Sequence, residues 1–202
     1  MKHTRSGSKT MLMSILMSAP GPLIVGYGLL LGRSATQMAD LVRRSAELLA
    51  LIVAWLTFRL TGRDGMDDGK KAALERRSNL FVGSAMCLSG LSMVLIALLS
   101  GNSEQGNVIP GLAVALLGVV ANGIFWRRYK KLGTTQGSSI LMVQSRLYRA
   151  KFLVDLCVTT ALVVVLAAPG SAAAAVFDKA GSVIVAVYLC WCGGKTIYEA
   201  RS

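Results

Sequence analysis

Six stretches of mainly apolar residues, each about as long as a bilayer is thick, leave this chain few folds to choose from. A helix crossing a hydrocarbon layer of about 30 Å needs roughly 20 such residues, and a spanning segment must satisfy its own backbone hydrogen bonds. The stretches occupy residues 10–31, 35–58, 79–100, 108–126, 141–168 and 172–192; the fifth is polar at its start and strongly apolar from Leu156 onward. Turn formers stand between them at 62–69, 101–106, 133–138 and 169–171. No strand-like alternation competes with this pattern. It predicts an all-α chain, one transmembrane domain over residues 1–202 made of six helices. Composition agrees: 53% of residues are hydrophobic and only 16% charged, where a soluble chain carries about a quarter.

The charges give orientation. Lys and Arg total 22 against ten Asp and Glu, a net +12. Lys2, Arg5 and Lys9 precede the first stretch, and Arg59, Arg63, Lys70, Lys71, Arg76 and Arg77 fill the loop after the second. Arg127, Arg128, Lys130 and Lys131 follow the fourth, and Lys195 and Arg201 follow the sixth. The other side holds only Arg33 and Lys179. Positive residues stay cytoplasmic, so both termini are expected inside a plasma or inner membrane. The cations orient the chain and meet anionic headgroups, which makes the lipid bilayer the partner and leaves no role for nucleic acid. The start at 2–19 has the layout of a cleavable signal peptide. Because the apolar run continues through 23–31 behind Pro20 and Pro22, an uncleaved, proline-broken first helix is expected. Cys87, Cys157, Cys190 and Cys192 all fall within the stretches without Cys-x-x-Cys spacing, and read as small apolar fillers.

Ionisable groups inside a bilayer are costly and mark a pathway, a pair or an interface. The second stretch carries Asp40, Arg43, Arg44 and Glu47, which spacings of three and four place on one helical stripe. The fifth opens with Gln144, Arg146, Arg149 and Lys151 and reaches Asp155. Its excess positive charge is available to Glu47 or Asp40 across the helix pair. Two readings stand: the stripes face each other along an ion path, or they form a satisfied salt-bridge layer.

The pattern Ser34, Ala39, Asp40, Arg43, Glu47 resembles the second-helix signature of the cation diffusion facilitator, or cation efflux, family. The fifth-helix signature of that family is similar to the run from Ser139 through Ser145, Arg146 and Arg149 to Leu153. The stretch Gly118–Asn122, the pair Phe177 and Asp178, and the closing Gly193, Gly194 and Lys195 fit the same scheme, which covers most of 11–201. The resemblance implies a six-helix integral membrane bundle that exports a divalent metal by alternating access, in exchange with protons in some members, and a homodimer. It implies no enzyme activity and no resident cofactor, the cation being cargo. The chain stops where relatives often continue into a cytoplasmic metal-binding domain, so the expectation is the transmembrane domain alone.

The family's metal positions fall here on Arg43, Glu47, Arg149 and Leu153, with Asp40 beside them. Arginine and leucine offer no lone pair to a metal, so Glu47 and Asp40 are the metal candidates. The wider cation pathway or charge network is Asp40, Arg43, Glu47, Arg149 and Asp155. Arginine can take the metal's electrostatic part and lock the second and fifth helices together, giving a structural or assembly partner without transport. Alternatively, Asp40, Glu47 and Asp155, with Asn122 and Gln144, form an oxygen-rich site suited to a harder cation. An anion held by Arg43, Arg44, Arg146 and Arg149 is the third arrangement. All of these rest on six membrane helices that bring Glu47 and Arg149 within touching reach in the bundle centre. The acids at 64–68 lack the spacing of a calcium loop, and no nucleophile–base pair or phosphate loop is present.

Overall fold

The computed structural model describes residues 2–31, 35–62, 66–99, 108–167 and 172–201. Seven helices are present among them: α1 (Lys2–Ser18), α2 (Pro20–Leu31), α3 (Ala35–Thr61), α4 (Asp68–Leu99), α5 (Val108–Gln136), α6 (Ser139–Ala167) and α7 (Ala172–Arg201). No strand occurs among the described residues. The first apolar stretch is the broken rod α1–α2. Pro20 has no N–H to give to the preceding turn, so α1 closes with the Ala19 amide on the Ile15 carbonyl at 2.8 Å, and Pro20 starts α2. The acid at Asp67 accepts from the Lys70 amide at 3.3 Å and starts α4. Gly137 at φ +60° ends α5, a left-handed conformation that glycine adopts without penalty. The Ser138 amide then reaches back to the Gly133 carbonyl at 3.2 Å, which folds α6 directly against α5.

Three helical segments among the described residues are long and apolar enough to cross a membrane: Ser6–Tyr27, Asp68–Ile96 and Val183–Arg201. Large apolar side chains point outward along them, with Leu23, Ile24 and Ile184 each about two-thirds or more exposed. That outward surface suits lipid rather than water. Helices α4, α5 and α7 overrun the expected stretches 79–100, 108–126 and 172–192 by roughly three turns each. The overrun lies at the basic end, where the chain is polar but keeps good helix formers and interhelical pairs. There Arg146 bridges to Glu199 at 2.6 Å and Ser139 donates to Glu75 at 2.6 Å. Hydropathy sets where a helix leaves the lipid, not where it ends.

Helices α5 and α6 pack together, as do α4 and α7, while α3 lies against α4 and touches α6 over a short length. The core between them holds Leu51, Ala54, Met86, Tyr129, Leu147, Tyr148 and Leu189. The α4–α7 contact depends on glycine. A Cβ at Gly193 would stand 2.6 Å from both Cys87 Sγ and the Gly83 carbonyl, whereas one at Gly194 would meet nothing. Gly193→Ala is therefore expected to cost about 1–3 kcal/mol by forcing the helices apart. Gly194→Ala is expected to be neutral or stabilising by up to about 1 kcal/mol through helix propensity. Thermal unfolding of the two purified variants in detergent checks the contrast.

Candidate functional site

Residues four apart stand one above the other on a helix. Arg43 and Glu47 make such a pair on α3, and Lys151 and Asp155 make one on α6; the two pairs face each other. Glu47 is 7% exposed. Its Oε2 accepts from Lys151 Nζ at 2.9 Å and its Oε1 from Arg43 Nη1 at 3.4 Å. Asp155 accepts from Asn122 Nδ2 on α5 at 2.6 Å. It lies within electrostatic reach of Lys151, Arg43 and Glu47. A Cβ at Gly118 would strike the Asp155 carboxylate, so glycine there lets Asp155 lie against the α5 backbone. At 1.5 Å per residue, Lys151 lies about 18 Å from the start of α6 at Ser139, and Glu47 about 21 Å from the end of α3 at Thr61. Both therefore sit well inside their helices, at least three turns from either end.

Arg149 does not meet Glu47. It lies on the far side of α6, where its Nε donates to the Tyr188 hydroxyl and its guanidinium covers the Tyr188 ring at 5.3 Å on α7. The reason is rotational: two residues along a helix turn it by about 200°. Lys151 thus faces α3 while Arg149, and Leu153 one turn on, face away. Arg146 is likewise committed to Glu199 through two bonds, at 2.6 and 3.2 Å. The backbone of Asp40 belongs to α3, but its side chain lies outside the described residues, as do the side chains of Phe177, Asp178 and Lys179 and the whole of Arg33 and of the expected loop at 101–106. Lys151 is the member of the fifth-helix cluster that closes the Glu47 pair. The signal that finds it is the stripe Gln144, Tyr148, Lys151, Asp155, spaced four, three and four along α6.

That stripe is polar along the core. Gln144 is wholly buried, and neither its amide oxygen nor its nitrogen has a hydrogen-bond partner among the described residues; the Tyr148 hydroxyl is in the same condition. The Lys151 ammonium lies 5.2 Å from the Tyr148 ring centre, a cation–π contact. Tyr148 also stacks with Phe125 and Tyr129 at 5.2 Å each. The Tyr129 and Ser14 hydroxyls, 2.6 Å apart, share a hydrogen bond that ties α5 to α1. An aromatic layer thus separates the four-residue cluster from the basic end.

The chemistry available is that of two hard carboxylates already neutralised by an ammonium and a guanidinium. Among the described residues no three of His, Cys, Asp or Glu converge as metal ligands. A dication joining the cluster unchanged would meet repulsion of about 8 kcal/mol from a unit positive charge 4 Å away, at an effective dielectric of 20. Space for a cation between Glu47 and Asp155 requires the Lys151 charge to leave.

Among comparisons with known proteins, the family model described as the cation efflux transmembrane domain matches residues 11–202. No curated protein matches the sequence.

Proposed function

The chain belongs to the cation efflux family, and from that premise we propose that it carries a cation by alternating access, with Glu47 and Asp155 as the seat and Lys151 as a tethered charge that fills it between cycles. In this reading the protein is a six-span bundle in one transmembrane domain, both termini and the basic end are cytoplasmic, and two copies associate as the resemblance implies. The observation that carries it is the facing of the two pairs, Arg43 with Glu47 and Lys151 with Asp155, in the interior of the bundle. Intramembrane ionisable groups that face a bundle interior mark ion pathways.

The exchange follows from charge. With Lys151 on Glu47 the two acids and two bases sum to zero. A cation arriving at the carboxylates displaces the ammonium, whose four-carbon stem lets it retreat along the stripe toward Tyr148 and Gln144, whose buried polar atoms have no partner among the described residues. Release of the lysine proton offsets one unit of the incoming charge, which couples cation movement to a proton without an intramembrane histidine. Asp40, seven residues from Glu47 and so on the same stripe of α3, is the next carboxylate toward the opposite face. The Tyr129–Tyr148 layer closes the basic side.

A second reading is favoured by the closure of the Arg43–Glu47–Lys151 set: a relative that no longer transports and acts through its helical bundle as a structural or assembly partner. Vesicles containing the purified protein separate the two. Zinc, manganese, iron(II) and cobalt are supplied outside, and uptake is followed over time. At least one metal is expected to enter faster than into protein-free vesicles, with a loss of about tenfold or more in Glu47→Gln and Asp155→Asn. If no metal moves and both variants alter only stability, the transporter reading fails and the structural one stands.

A further inference from the structure

Away from the charge cluster, the basic end of the molecule carries a groove. Helix α6 packs against both α5 and α7, which make no comparable contact with each other among the described residues. A channel therefore runs over α6 with α5 and α7 as its walls. It widens into a cavity of about 270 Å³ lined by Lys130 and Trp126 from α5, Arg146 and Arg149 from α6, and Lys195 and Trp191 from α7. Four cations line it, and no acidic side chain does so among the described residues. Glu199, the nearby acid, binds Arg146 and approaches Lys195 at 3.8 Å, which leaves an excess of positive charge. Through its Nε bond to Tyr188, Arg149 is held with the rest of its fork at the cavity. Guanidinium forks match phosphate oxygens in pairs.

We propose that this groove binds the phosphate of an anionic phospholipid. The lipid source is chosen over a soluble phosphate by what adjoins the cations. Trp191 is 69% exposed, and the residues four and seven positions before it, Val187 and Ile184, are 63% and 67% exposed. These three form one outward stripe of α7, so the basic cavity opens onto an apolar track running toward mid-membrane. Interfacial tryptophans sit at headgroup level, and basic pockets between helices at a membrane face recognise anionic heads. An amphiphile with a phosphate at one end and acyl chains at the other satisfies both halves. A soluble anion leaves the track unused. The site is separate from Glu47 and Lys151, lies on the other face of α6, and does not depend on the transport reading.

The test uses purified full-length protein in detergent, with native mass spectrometry counting bound dioleoyl-phosphatidylglycerol or dioleoyl-phosphatidylcholine. The glycerol lipid is expected to be retained and the choline lipid lost. Lys130→Gln with Lys195→Gln removes two exposed cations that are not needed for an interhelical bond, and is expected to weaken the anionic lipid by about tenfold or more. Arg127→Gln with Arg128→Gln removes as much charge from the same end of α5 but outside the groove, and is expected to change binding by less than about twofold. Equal losses in both pairs, or equal retention of the two lipids, overturn the site. Unchanged circular dichroism in the first pair shows that lost binding is not lost folding, and Arg149→Lys, which keeps charge but not the fork, is expected to weaken the lipid while both proteins stay helical. Millimolar inorganic phosphate is expected not to displace the lipid. Displacement by it, with the same dependence on Lys130 and Lys195, overturns the lipid and assigns the groove to a soluble phosphate compound.

Discussion

Lys151→Met is expected to lower the stability of the bundle by about 3–5 kcal/mol, because it leaves the buried Glu47 carboxylate without its closest cation. Methionine matches the stem of lysine in length, so the change removes charge and little volume. Arg43 remains at 3.4 Å but makes one longer contact from the same helix, whereas Lys151 supplies the 2.9 Å bond across the α3–α6 gap. The double variant Glu47→Gln with Lys151→Met is expected to recover to within about 1 kcal/mol of the parent, since replacing a whole buried pair costs far less than breaking it. Unfolding of these three proteins and of Glu47→Gln by denaturant in mixed micelles gives the coupling energy directly. A single-variant loss below about 1 kcal/mol would mean that the pair is bathed in water. That result would end the reading of Lys151 as the resident charge of a dry site.

Much of this architecture was legible in the sequence for one reason: a bilayer imposes a length and an apolarity on each crossing segment. The broken first rod was marked by Pro20, and the stripe bearing Arg43 and Glu47 by its three- and four-residue spacing. The resemblance read around residues 34–47 agrees with a family match over 11–202. Rotation of α6 was not legible. The run Arg146, Arg149, Lys151 places cations on nearly every side of the helix, and hydropathy there is too uniform to say which side turns inward. The signature spacing selects Arg149 and Leu153, whereas packing turns Lys151 and Asp155 toward α3, two residues further on. Asn122, grouped with Asp155 by the sequence, is found donating to it, whereas Gly118 gains meaning only once Asp155 is seen lying against it. Helix ends at the basic face run past the apolar stretches for a related reason: pairs such as Arg146 with Glu199 stabilise helix there, where no apolar pattern records it.

Arg43→Asp combined with Lys151→His is expected to turn the cluster into a zinc site, tightening zinc binding by about a thousandfold or more over the parent. The parent presents two carboxylates and two fixed or resident cations. The double substitution puts two carboxylates one turn apart on α3 opposite an imidazole and the Asp155 carboxylate one turn apart on α6. This is a four-ligand nitrogen and oxygen set of the kind zinc takes tetrahedrally. Each cation removed relieves repulsion of several kcal/mol against a dication, about 8 kcal/mol at 4 Å and an effective dielectric of 20, so the expected gain uses only part of what electrostatics provides. Binding must weaken as pH falls below about 6.5, where the new imidazole takes up a proton and stops being a ligand. The matched control is Arg149→His with Leu153→Asp, the substitution that signature spacing alone would favour. It is expected to leave zinc affinity unchanged, because Arg149 is held against Tyr188 on α7 and residue 153, one turn on, lies on the same side of α6. Calorimetric titration of both proteins decides the register of the fifth-span signature. A gain in the control and none at Arg43 and Lys151 would mean that α6 is turned the other way in the membrane, and the seat between Glu47 and Asp155 would be lost with it.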